Sequence, residues 1–406
     1  MVTEEIIKQV KSFNSVPIVS NILNMGGTIV SQLVGEFWTS KQRQGNSLHE
    51  ISYRACFKSE LPRFFINLLT VKGDVVYDPF AGRGTTPIEA ALLGRKIISN
   101  DINPLSEILA YPRLAPPNLL DLLDRLDEIG SILIKKESDI DLSMFYHKKT
   151  LEEILKIKTY LNKRKKHNNS EDDMDKWIRM VATNRLSGHS SGFFSVYTLP
   201  PNQALKPEKQ KTINKERGQE PTYRDTKKII IKKTKSLISG LNQELMENLN
   251  FAKASALFLN KNSKHTSEIT NNSVQLTVTS PPFLDIVNYS DDNWLRCWFN
   301  SINSSEVEEN ITMTSKLEEW KKSMGKTLKE LYRITKPGGF VAFEAGEIRN
   351  GKIRLDEEIT PLGVGTGFKC LGILINKQDF TKTSNIWGVS NNKMGTNTNR
   401  IVLFSK

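Results

Sequence analysis

Apolar positions along this chain fall into two periods. Short apolar runs closed by Gly, Asp, Asn or Pro predict buried strands at Val75–Tyr77, Lys96–Asn100, Ala254–Leu259, Val274–Thr279, Phe340–Phe343, Cys370–Asn376 and Arg400–Phe404. The last two have the look of a hairpin across a long polar loop at 381–399. Between these runs the apolar residues take helical spacing. Leu61, Phe64, Phe65 and Leu68 form one such stripe, and Pro87–Leu93 forms a second that stops at Gly94. Further helices are predicted at 118–136, 148–164, 172–186 and 315–335, while residues 1–45 read as partly helical. From about 112 to 250 no run fits the same sheet. The pattern therefore predicts one α/β sheet interrupted by a mainly helical insertion, without internal repeats.

Two stretches carry the chemistry. The first, Asp78-Pro79-Phe80-Ala81-Gly82-Arg83-Gly84-Thr85-Thr86, joins a strand to a helix. Its two glycines let the backbone approach a ligand, and the helix N-terminus offers unpaired N–H groups. Asp101 lies 23 positions beyond Asp78, where the second strand ends in Asp101-Ile102-Asn103-Pro104. A carboxylate at that tip can accept both hydroxyls of a bound ribose, although a helix cap is the plainer use of it. The second stretch is Thr279-Ser280-Pro281-Pro282-Phe283 at the end of the Val274–Thr279 strand. Two prolines end the ladder and stiffen the exit, leaving carbonyls without sheet partners. Ser280 and one carbonyl can together hold an amine, and Phe283 can stack on a flat base.

Charge changes the picture next. The chain of 406 residues carries a net charge of +12, which suggests a polyanionic partner. Residues 201–235 hold eleven Lys and Arg against four acids, or +7 of that excess. Lys206, Arg217, Arg224, Lys227 and Lys228 are its candidate phosphate contacts. The loop Ser187–Gln203 mixes small polar residues, amides and aromatics suited to reading bases. Glu36-Phe37-Trp38 also mixes aromatic and charged residues, but a packing contact is the stronger reading. Three separated cysteines and five scattered histidines form no disulfide framework or metal-ligand spacing, so no metal is expected. No apolar run approaches the length of about 18 residues needed to span a membrane, and the charged start is no secretory signal. A cytoplasmic protein without membrane contact is the default expectation.

Together the two stretches resemble the motifs of the S-adenosylmethionine-dependent DNA amino-methyltransferases, which modify N4 of cytosine or N6 of adenine. The likeness covers about 50–110 and 254–405. It implies a Rossmann-like seven-stranded methyltransferase sheet, with residues 1–111 and 251–406 forming the methyltransferase domain and 112–250 an inserted target-recognition region. It implies S-adenosyl-L-methionine held by Phe57, Asp78, Pro79, Phe80, Ala81, Gly82, Gly84, Thr85, Thr86, Asp101, Ile102 and Asn262. Ser280, Pro281, Pro282 and Phe283 would act on a flipped base. Ser at the first position is more typical of the N4-cytosine members, Asp or Asn of the N6-adenine ones. Double-stranded DNA is the implied partner, with a cognate restriction endonuclease as a candidate companion. Two departures stand out: Arg83 occupies a place where small residues are common, and the third strand tip reads Asn260-Lys261-Asn262-Ser263 where relatives often have an acid. Cytosine C5 chemistry does not fit, because none of the cysteines follows a proline. An N6-adenine enzyme, an RNA guanine-N2 enzyme and a non-catalytic DNA-binding subunit are the competing readings.

Overall fold

The computed structural model describes residues 8, 10, 19–25, 27–38, 45–54, 56–134, 138–166, 170–198, 205–282, 284, 289–311, 314, 316–348, 353–377 and 398–406. Seven of the strands are β3 (Val75–Asp78), β4 (Lys96–Asn100), β5 (Leu257–Leu259), β6 (Val274–Thr279), β7 (Thr335–Glu344), β10 (Lys369–Lys377) and β11 (Thr398–Ser405), while β8 (Glu347–Ile348) and β9 (Ile353–Arg354) pair with each other in a separate small sheet. They lie side by side as β10-β11-β7-β6-β3-β4-β5. All pairings from β7 to β5 are parallel, while β11 runs antiparallel to both β7 and β10. This is the expected Rossmann-like methyltransferase sheet, with its order reversing at β3 and β6. In such sheets ligands bind beyond the carboxyl ends of the strands at the reversal.

The sheet is longer than expected by two strands. Residues read from sequence as partly helical form a hairpin, β1 (Val19–Met25) and β2 (Thr28–Gly35), and β2 pairs in parallel with β10. The reason is local. Gly27 takes a left-handed φ of 89°, and its N–H is capped by the Asn24 side chain at 3.0 Å, closing a tight turn between β-branched runs. Beyond β2 the chain is pinned by Asn376, whose buried Oδ1 accepts from the amides of Phe37 (2.7 Å) and Trp38 (3.2 Å) while its Nδ2 donates to the Trp38 carbonyl (3.1 Å). Phe37 and Trp38 are buried against Phe64, so they pack rather than face a ligand.

Period-two burial puts apolar side chains on both faces, as a covered parallel sheet requires. Val76, Leu276, Val278 and Ala342 face one way, toward α1 (Glu60–Leu69) and α2 (Thr85–Leu92). Val341, Phe343, Ile373 and Phe404 face the other, toward α12 (Leu317–Ile334) and α13 (Leu355–Thr366). Between β4 and β5 come the short α3 (Leu105–Ala110) and then α4 (Leu119–Ser131), α5 (Lys148–Lys166), α6 (Asp173–Arg185), α7 (Pro207–Arg217), α8 (Thr226–Ile238) and α9 (Gln243–Ala254). These helices do not keep a core of their own: Leu122, Phe145, Ile154 and Trp177 join the same buried cluster as Val76 and Leu276. Between β6 and α12 lie α10 (Tyr289–Asn300) and α11 (Ser304–Asn310). Among the described residues no helix is long and apolar enough to cross a membrane.

Replacing Asn376 by Ala strands three buried backbone groups. A loss of roughly 2–4 kcal/mol in unfolding free energy is expected, read as a lower urea midpoint with the denaturant slope unchanged.

Candidate functional site

The site forms where β3, β4 and β6 end. Gly82 and Gly84 hold left-handed φ values of 52° and 81°, which fold the chain back after Phe80. At Gly84 a β-carbon would sit 2.5 Å from Cβ of Ala110, so the turn excludes any side chain there. The turn delivers Thr85 and Thr86 to the start of α2, where both are buried. The Thr86 hydroxyl donates to the Val278 carbonyl at 3.1 Å, fastening α2 to β6. Asp78 also points inward. Its carboxylate accepts from the Thr279 hydroxyl at 2.6 Å and from the Phe80 amide at 3.1 Å, and burial pushes its pKa up to about 7 in spite of those bonds. Asp78 is thus a brace between the two functional stretches.

Arg83 also has a structural place. Its guanidinium donates to the carbonyls of Ile51 (2.8 Å) and Phe57 (3.4 Å) and to the Thr85 hydroxyl (3.2 Å). Arg113, fully buried, donates in turn to the Arg83 carbonyl and to Leu48 and Leu109. The segment around Phe57 is clamped to the glycine turn in this way. The Phe57 ring itself is half-buried against the core.

A cleft of about 840 Å³, its open mouth included, runs along these strand tips. It brings together Pro79, Phe80, Gly82, Asp101, Ile102, Asn262, Ser280 and Pro282 from the sequence-derived set, and adds Trp320, Ser323 and Met324 from α12. Ala81, Thr85, Thr86 and Pro281 lie behind that wall, and Phe283 falls outside the described residues. Asp101 accepts from the Gly82 amide (2.8 Å) on one oxygen and the Asn103 amide (2.9 Å) on the other. A carboxylate has about four acceptor positions, so two are left for a ligand. Burial raises its pKa to about 6. Asn262 uses its side-chain oxygen on the Lys264 amide, leaving the NH₂ as its donor. Glu330, taking the amide and hydroxyl of Thr266, ties the Asn262 loop to α12. In the α12 wall the Ser323 hydroxyl is buried with no hydrogen-bond partner in the structure.

At the other end of the cleft the Trp320 indole donates to the Pro282 carbonyl at 3.0 Å. The Pro281 carbonyl has no partner among the described residues. The register Thr279↔Phe343 sets Ser280 beside Glu344, the last residue of β7. Glu344 is buried and accepts from the side chains of Asn399 and Ser280, while its desolvation raises its pKa. No spacing in the sequence marks Glu344, because only strand pairing brings it to Ser280.

None of the five candidate phosphate contacts lines this cleft. Lys206 pairs with Asp291 at 3.3 Å, Lys227 with Asp127, and Lys228 with Asp225 at 3.5 Å. Arg217 stacks on Tyr197, and Arg224 donates to the carbonyls of Ser190 and Phe193. Phe193 and Phe194 are buried, so the loop after α6 offers its serines rather than these rings to solvent. Among the described residues no three His, Cys, Asp or Glu side chains gather to hold a metal.

Residues 21–109 match a protein family described as DNA methylase, the N6/N4 methyltransferases. The chain is 33% identical over 96 residues to a tRNA (guanine(10)-N2)-dimethyltransferase of Methanocaldococcus jannaschii, covering 23% of this chain and 27% of that one. It is 40% identical over 72 residues to the type II methyltransferase M.BsoBI of Geobacillus stearothermophilus, covering 17% and 14%. The chain thus spans about a quarter of one curated relative and a seventh of the other. A solved SAM-dependent methyltransferase of Methanosarcina mazei aligns over 84% of this chain and 96% of its own, with 10% identity and a TM-score of 0.31.

The cleft fits S-adenosylmethionine: it offers a carboxylate with spare acceptor positions, a glycine turn and an orphaned buried hydroxyl. Asp101→Ala should raise the cofactor dissociation constant roughly 10–100-fold, the worth of charge-assisted hydrogen bonds. Because a protonated Asp101 loses acceptor strength, wild-type affinity should fall as pH drops through about 6. Calorimetric titrations at pH 5 and 7.5 check both, and the variant should lack the pH step.

Proposed function

We propose that this chain, whose residues 21–109 match a family of N6/N4 DNA methylases, methylates the exocyclic amine of a DNA base, N4 of cytosine. The observation that carries this reading is the placement of Ser280 beside buried Glu344, on a cleft that Gly82, Asp101 and Asn262 also line. S-adenosylmethionine supplies an electrophilic methyl group when bound. Asp101 would hold its ribose, the Gly82–Gly84 turn would lie against it, and Asn262 and Ser323 would meet its base.

The chain's own residues then act on the amine. The Pro281 carbonyl accepts one amine hydrogen. Glu344 draws the Ser280 proton toward itself, so the Ser280 oxygen presents a lone pair to the other hydrogen. Two acceptors at fixed positions turn the nitrogen lone pair out of conjugation with the ring and toward the electrophile. Glu344 is a positioning residue in this scheme, and Ser280 a catalytic one. The rigid Pro281-Pro282 exit keeps both acceptors in place without reorganisation, which is where most of the rate gain arises. No strong base is needed, since the amine loses its proton as its nitrogen becomes positive.

Ser280 favours cytosine over adenine by the family pattern. The likeness to a tRNA guanine-N2 enzyme favours a second reading, an exocyclic amine of RNA. A cognate endonuclease and a cytoplasmic setting go with the first reading, as does recognition of the DNA sequence by the helices between β4 and β5.

Digestion of treated DNA to nucleosides, with mass detection, should show N4-methylcytosine; N6-methyladenine would move the substrate, and methyl groups in RNA alone would sink the DNA reading. Ser280→Ala should lower turnover roughly 10–10³-fold with cofactor affinity unchanged. Glu344→Gln should lower turnover too and erase its decline on the acid side, because only the ionised carboxylate orients Ser280.

A further inference from the structure

A cluster of cations lies beside this site that the mechanism above does not use. Ser52 offers its carbonyl to two groups at once, the Asn184 amide at 3.2 Å and the Arg296 guanidinium at 3.0 Å. The adjoining Tyr53 ring faces Gly82 of the cofactor turn, and Arg296 lies 5.5 Å over that ring. Arg185, at the end of α6, is within electrostatic reach of Arg296. Both arginines are only 8% exposed.

Two neighbouring cations are balanced locally. Arg54 forms a bidentate pair with Asp292 at 2.9 and 3.1 Å, and Lys233 pairs with Glu50 at 3.2 Å. Arg185 and Arg296 are not. Arg185 donates only to the Asn184 carbonyl and side-chain oxygen and stacks 4.0 Å over Phe193. Arg296 donates to Asn293 at 2.8 Å and to Ser52. Every one of those acceptors is neutral. Among the described residues, neither guanidinium has a carboxylate at ion-pair distance. Burial and, after it, the Arg296 charge lower the pKa of Arg185 to about 10, with the Glu50 carboxylate opposing them only from a distance. Buried charges ordinarily come paired, since desolvation is otherwise uncompensated, and planar guanidinium forks match phosphate oxygens.

We propose that Arg185 and Arg296 form the seat for a backbone phosphodiester of the DNA strand whose nucleotide enters the cleft. This rests on the DNA-amine reading and deepens it. The position is apt: Arg296 lies over the Tyr53 ring, and that ring faces Gly82, which lines the cleft. A strand gripped at one phosphate beside the cleft would be positioned for extrusion of that nucleotide without any base being read.

The test uses the full chain, a labelled DNA duplex methylated by the wild type, and S-adenosylhomocysteine. Arg185→Gln should weaken duplex binding roughly 5–20-fold and flatten the log–log salt dependence by about 0.9, the value of one phosphate contact. Cofactor affinity should stay at the wild-type value. Arg185→Lys, which keeps the charge, should recover most of the salt slope, a rescue that a purely structural role would not give. Arg296→Lys guards against misfolding of the glutamine variant and should likewise keep the slope while lowering affinity. An unchanged slope in Arg185→Gln, or a loss of cofactor affinity with the slope intact, overturns the seat while leaving DNA methylation standing. If the wild type transfers no methyl to DNA in the nucleoside assay, the underlying reading fails and the seat falls with it.

Discussion

The 2.6 Å hydrogen bond from the Thr279 hydroxyl to the Asp78 carboxylate holds the two halves of this site together. The pairing of β3 with β6 amounts to two register pairs, Val76↔Leu276 and Tyr77↔Thr277. Beyond them the strands diverge into the glycine turn and the proline exit, and the ladder can no longer fix their spacing. Asp78 takes over. Its burial is costly enough to raise its pKa to about 7 in spite of the bonds it accepts. The Thr86–Val278 bond repeats the connection one layer deeper. With β6 placed, the register to β7 sets Ser280 against Glu344, so the geometry at the amine end follows from the same seam.

The rest of the cleft is arranged so that few groups can move. At the proline exit the Pro282 carbonyl is committed to the Trp320 indole, while the Pro281 carbonyl has no partner among the described residues. Arg83 and Arg113 spend their charges on backbone oxygens, which fastens the segment before β3 to the turn. Their cationic character near the cofactor turn comes without flexibility. Arg185 and Arg296 differ in kind: among the described residues their donors reach neutral groups only, which is the ground for the proposed phosphate seat.

Much of this was legible from residue order. Gly82 and Gly84 announce a turn that only glycine can make, Asp101 sits at its strand tip, and Ser280 follows its strand directly. Five of the seven core strands end within two residues of their predicted limits at both termini, because Val, Ile and Leu runs closed by Gly, Asp or Asn leave little freedom. What escaped notice has physical causes. The β1–β2 hairpin lies in a stretch with weak alternation, since its edge strand is exposed on both faces at Ile22 and its neighbours. Glu344 becomes visible only through strand register, 64 positions after Ser280. A count of Lys and Arg over 201–235 does not show which of them are paired, because the opposing acids Asp127 and Asp291 come from distant parts of the chain.

The helices of 119–254 share their buried side with the sheet, with Leu122 and Trp177 in one cluster with Val76 and Leu276. Their apolar stripes are therefore cut to the shape of this sheet and no other. Such a region cannot be exchanged as a cassette in the way a separately folded unit can. Change in this architecture is confined to surface loops and exposed side chains, made one at a time over a core that stays as it is.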